Sequence, residues 1–222
     1  LAGKRRYLGV AWLAMGSATT ASFARNIHYL RIDNRGQLDL IARAEPLVGP
    51  DDIYFDGVAM LPNRAEPSTL WLDRASIVRT LRENQDSEAY RIFSTRPPKV
   101  ILWSSRMDNI EPVIAPLIRD SYIGIAPNIR IAGRRLERDL PARFDIPIAG
   151  TYALYGANGE PLQAELEVDG AVLGPPFRFM RGPQTITLRT GSATALLLPE
   201  GSYAGAIKPG ADDNQLFADV YN

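Results

Sequence analysis

Near Leu140-Pro141 the apolar residues of this chain change their spacing, from the three-to-four interval of helices to the two of strands. That switch constrains the fold more than any other feature. Downstream, Phe144-Asp145-Ile146-Pro147-Ile148 alternates, and Gly150 turns the chain into Thr151–Tyr155. Asn158-Gly159 follows, a pair that tolerates the positive φ of a tight hairpin, with Leu162–Val168 as its return strand. Asp169-Gly170 repeats the signal, and further strands fit Thr185–Arg189, Ala193–Leu198 and Leu216–Tyr221. Short strands punctuated by glycine, proline and asparagine predict an all-β sandwich over residues 139–222.

Upstream, over residues 31–138, the pattern is α/β. Leu38, Ile41, Ala42 and Ala44 make one helical face from Gln37 to about Val48, and Gly49-Pro50 stops it. Ile53-Tyr54-Phe55 reads as a strand closed by Asp56-Gly57. Helices are predicted over Arg74–Glu83 and after Asp86 or Ser87, the latter with Ala89, Tyr90, Ile92 and Phe93 inward. Lys99–Trp103 is apolar enough for a strand covered on both faces. Glu111-Pro112 opens a helix carrying Val113, Ile114, Leu117 and Ile118. Tyr122–Ala126 and Ile129–Ala132 flank Pro127-Asn128 as a hairpin. The order predicts a small, mainly parallel sheet with flanking helices.

Residues 1–30 form a separate leading segment. Tyr7–Ala24 is uncharged, preceded by Lys4, Arg5 and Arg6 and diluted by Ser17, Thr19, Thr20 and Ser22. It reads as the end of a transmembrane helix, a signal-like anchor or a packed amphipathic helix, and the membrane-derived reading is favoured. The chain opens on Leu1, which suggests a piece of something longer.

Composition narrows the chemistry. With 25 basic and 25 acidic residues, the chain lacks the electrostatic footprint of a nucleic-acid binder. There is no cysteine, so thiolate chemistry and disulfides are excluded, and His28 is the single histidine. A histidine-rich metal site is therefore excluded too. His28 sits between Ile27 and Tyr29 with no Gly-x-Ser-x-Gly elbow in the chain, which favours packing over catalysis. No catalytic residue, metal site or cofactor is assigned.

In open α/β sheets ligands gather beyond the carboxyl ends of the strands. That edge would carry Asp56 after the first strand, Trp103, Arg106 and Asp108 at the end of the second, and Trp71 and Asp73 in the connection. Carboxylates, an arginine and tryptophan faces suit sugar or phosphate recognition by hydrogen bonding and stacking. The competing reading makes Asp56 a turn residue and Asp73-Arg74 a helix start. Asp56 and Asp108 as a glycosidase pair, and calcium at Gly210–Asn214, are weaker readings. Arg134, Arg135 and Arg138 read as a solvated basic face near the linker.

Asn34-Arg35-Gly36-Gln37, the segment Gly49–Gly57 and the segment Arg96–Trp103 follow the marginal membrane helix in an order that resembles a known arrangement. It is similar to the region after the last transmembrane helix in bacterial membrane glycosyltransferases of the protein-mannosyltransferase and aminoarabinose-transferase type. The resemblance covers roughly residues 7–136. Gly150-x-Tyr152, Val168-Asp169-Gly170 and Arg181-Gly182-Pro183 resemble small sandwich modules attached to envelope and carbohydrate-active proteins. The family resemblance implies a polyprenyl-phosphate sugar donor and a soluble domain on the periplasmic side of the inner membrane. The family's catalytic aspartate lies in an early loop, and no residue of this chain matches it. The expectation is an accessory periplasmic domain, noncatalytic in isolation, that binds acceptor, glycan or lipid-linked sugar and reaches the membrane through an upstream span. The rival is a free-standing envelope module that binds carbohydrate or protein.

Overall fold

A computed structural model describes residues 16–17, 19–20, 35–62, 64–65, 88–103, 107, 110–156 and 158–202. The fold is β-rich, with three sheets and few helices among these residues. The first helix, α1 (Arg35–Ala44), runs into a 3-10 turn at Glu45–Leu47, and Pro46 and the following Gly49-Pro50 prevent its continuation. Strand β1 (Tyr54–Phe55) pairs in parallel with β2 (Val100–Leu102). Between them lies α2 (Glu88–Thr95), and after them α3 (Glu111–Ile118). The hairpin β3 (Tyr122–Ala126) and β4 (Ile129–Ala132) completes a four-stranded sheet in the order β1-β2-β4-β3.

The mainly parallel sheet expected from the sequence is corrected here. One pairing is parallel, while β2-β4 and β4-β3 are antiparallel. The cause is local: Pro127-Asn128, with Asn128 at φ 59, turns the chain tightly enough to force an antiparallel pair. That hairpin, rather than a further crossover strand, then occupies the edge of β2.

The continuous apolar run at β2 is explained by two buried faces. Val100 and Leu102 face a core with α1, Ile129 and Ile131, while Ile101 and Trp103 face one with α2 and α3. Phe55 and Phe93 meet edge to face at 5.2 Å in the second of these. Asp52 anchors the entry to β1, accepting the Gly49 N–H at 2.8 Å and pairing with the Lys99 ammonium at 2.6 Å.

The remaining strands form two antiparallel sheets around one core. The first contains β5 (Arg134–Glu137), β7 (Gly150–Tyr155), β11 (Phe177–Phe179) and β13 (Thr194–Pro199), with β8 (Pro161–Leu162) added to β7. The second has the order β10-β9-β12-β6, from Ala171–Leu173, Leu166–Val168, Gly182–Leu188 and Pro141–Ile146. Asp169 and Gly170, at φ 47 and 89, make the expected two-residue turn from β9 to β10. After Asn158-Gly159 only Pro161–Leu162 returns along β7, because Leu166 and Val168 are buried from the opposite sheet.

Sheet membership changes at Gly133. β5 pairs with β13, Leu197 opposite Arg134, so it belongs to the sandwich. The two parts share apolar packing: Tyr155, Leu196 and Leu198 enter the core that contains Val100 and Ile131. Alternation along β13 makes this possible, since Ala195 and Leu197 face the sandwich core instead.

Two buried tyrosines give the fold an alkaline limit. The Tyr122 hydroxyl donates to Pro98 O at 2.7 Å and the Tyr152 hydroxyl to Ile148 O at 2.8 Å. Burial holds both phenols above their usual range; for Tyr122 the neighbouring Tyr152 adds to this and Arg181 opposes it. The unfolded chain therefore releases these protons first, near pH ~10. Stability is fully present below that pH and declines as pH rises above it, by about 1.4 kcal/mol per pH unit for each tyrosine. Urea midpoints measured from pH 8 to 11.5 should fall beyond ~10, and less steeply in Tyr122→Phe and Tyr152→Phe. A flat profile would contradict this.

The apolar run 7–24 and His28 lie outside the described residues, apart from helical residues 16–17 and 19–20. The predicted helix 74–83 and strand 216–221 lie outside them too. Among the described residues no helix is long and apolar enough to cross a membrane.

Candidate functional site

The strand-end edge is built by β1 and β2, whose parallel register sets Phe55 beside Ile101 and so brings Asp56 and Trp103 to the same end. Neither is available there. Asp56 is fully buried, and its carboxylate accepts the N–H groups of Val58, Ala59 and Met60, each at 2.7 Å. Those bonds hold a turn in which Gly57 and Ala59 have φ 76 and 57. The Asp56 oxygens are thus occupied by the backbone they shape.

Trp103 is likewise buried. Its side chain is enclosed, with the residue 1% exposed, its backbone N–H donates to Asn128 O at 2.7 Å, and the Arg130 guanidinium covers its ring at 4.5 Å from the centroid. Trp71, Asp73, Arg106 and Asp108 lie outside the described residues, as does Gly210–Asn214. Among the described residues no three acidic or imidazole side chains stand together as a metal set.

A different site lies where the two parts meet. A cleft of about 410 Å³ is lined by Arg119, Tyr122 and Ile123 on one side. From the other come β5, with Arg134, Arg135 and Glu137, then Leu140, and the start of β6, with Pro141, Ala142 and Arg143. Four arginines against one glutamate form a local concentration of positive charge in a chain whose charges balance.

The backbone explains why these arginines gather. Helix α3 ends with the Arg119 N–H donating to Ala115 O, and the next residues are stitched to both neighbouring strands. The Gly133 N–H donates to Ser121 O at 2.9 Å, and the Asp145 N–H to Asp120 O at 3.0 Å. Arg134 adds bonds to Arg119 O at 3.2 Å and to the Asp120 carboxylate at 3.3 Å. In β5 the sequence Arg-Arg-Leu-Glu turns Leu136 into the core, which leaves Arg135 and Glu137 outward. Arg143, between the half-buried Ala142 and buried Phe144, is outward in the same way.

Arg119, Arg135 and Arg143 do not read as a group in the sequence, because 16 positions and two intervening strands separate the first pair. The available signal was the Arg134-Arg135 pair directly after a hairpin, with outward alternation continuing into Glu137. The opposing wall from α3 has no counterpart in that local signal.

Residues 78–131 are similar to a domain of unknown function, DUF7056, and residues 134–199 to another, DUF7055. The cleft draws its walls from both matched segments. No curated protein and no solved structure matches the chain.

Proposed function

We propose that this chain is a noncatalytic accessory domain of a membrane glycosyltransferase, acting on the periplasmic side of the bacterial inner membrane. It would hold an anionic glycan or a lipid-linked sugar for a membrane region upstream. The mixed sheet and its helices then serve as an α/β unit that presents one wall of the binding site. The observation that carries this reading is the arginine-lined cleft at the meeting of the two parts. The segments Gly49–Gly57 and Arg96–Trp103 support the choice of family through their resemblance.

The test is retention of the chain on lipid nanodiscs loaded with a polyprenyl-phosphate sugar, against unloaded discs. Preferential retention is expected, and Arg135→Glu should reduce it at least tenfold, about 1.4 kcal/mol or more. Equal retention on both discs would remove the reading.

A further inference from the structure

We propose that the cleft is a phosphate site, selective for a phosphoryl group over a carboxylate. The inference rests on the reading of the cleft as the ligand site, and it does not depend on the glycosyltransferase parentage. Arg134 is already engaged by Asp120. Among the described residues Arg119, Arg135 and Arg143 make no ion pair, so three guanidinium groups on one cleft stand against the single carboxylate of Glu137.

A carboxylate presents two oxygens and one charge, which a single guanidinium fork satisfies. Three guanidinium groups lining one cleft offer donors for the additional oxygens of a phosphoryl group, and most for a diphosphate. Glu137 on the same cleft is an acceptor and can take a hydroxyl of the group that bears the phosphate. The walls are preorganised by the Gly133–Ser121 and Asp145–Asp120 backbone bonds, which limits the ordering required on binding. Leu140, 55% exposed, gives the rim an apolar side next to the charge.

The phosphate could be free or borne by a lipid headgroup, and two arms separate these sources. Calorimetry with inorganic diphosphate should show binding at least tenfold tighter than with acetate. The double change Arg135→Gln and Arg143→Gln should weaken it at least tenfold, while Arg178→Gln, on β11 and outside the cleft, should leave it unchanged. Both cleft arginines are exposed, and an unchanged urea midpoint will confirm that the double variant folds. Co-sedimentation with vesicles containing phosphatidic acid, displaced by diphosphate and absent with phosphatidylcholine alone, supports a lipid-borne phosphate. Diphosphate binding without co-sedimentation supports a soluble one.

Absence of diphosphate binding, or binding that survives the double change, overturns the proposal. If lipid-linked sugar binding depends on Arg135 and diphosphate does not bind, the phosphate inference fails and the cleft reading stands. If diphosphate binds and lipid-linked sugar does not, the glycosyltransferase reading fails instead.

Discussion

Asp56→Ala should destabilise the chain by about 3–5 kcal/mol, a large share of the ~5–15 kcal/mol typical of a folded domain. Three backbone N–H groups, of Val58, Ala59 and Met60, end on this one carboxylate. Each charge-assisted bond contributes about 1.5–3 kcal/mol, but the contributions are not equal in their replaceability. Ala59 is exposed and can find water, whereas Met60 is buried and would keep an unsatisfied donor. The turn also holds Ala59 at φ 57, which is unfavourable for a residue with a Cβ and persists only while the carboxylate over-determines it.

Asp56→Asn separates this account from a ligand-binding one. It keeps one acceptor oxygen but turns an amide NH2 toward a backbone donor, so it should also lose more than about 2 kcal/mol. Urea midpoints about 1–2 M below that of the parent are expected for both variants. A ligand-binding aspartate would instead leave the midpoint unchanged or raised in Asp56→Asn, with binding lost.

The second large effect is expected at Gly133. A Cβ there would lie 2.6 Å from both Leu197 O and Leu198 Cδ2. Leu198 can rotate away, but the Leu197 carbonyl belongs to β13, which is paired on both sides with β5 and β7. Relief therefore requires the mixed sheet to move off the sandwich, opening the shared packing of Ile131 against Leu198. Gly133→Ala should lose about 2–3 kcal/mol by overpacking. Gly124→Ala, in β3 with nothing within 4 Å of the added carbon, is the control and should change stability by less than about 1 kcal/mol. Equal midpoints for the two variants would show that the parts do not depend on this close approach.

The local elements were legible because each carried its own chemistry. Asp169-Gly170 supplied a turn, and Pro127-Asn128 supplied another. Lys99–Trp103 read as doubly covered because every second side chain meets a different core. Pairing direction was less legible: two buried strands with a long connection suggest a parallel sheet, while the hairpin that lies beside β2 is specified by tertiary packing. The same limit explains Asp56. A carboxylate after a strand looks alike whether it faces a ligand or its own backbone, and the three N–H groups that Asp56 accepts distinguish the two. The arginine cleft depends on β5 joining the sandwich while Asp120 and Ser121 remain tied to it, a long-range arrangement with no periodic signature.

The central claim is that the meeting of the two parts is a ligand site. It is tested most directly by following backbone amide resonances of the 15N-labelled chain during a titration with inorganic diphosphate. The expected result is saturable shifts clustered at residues 119–123 and 134–143, the two walls of the cleft. Shifts that gather instead around Asp56 and Trp103, or that scatter without saturating, would contradict it.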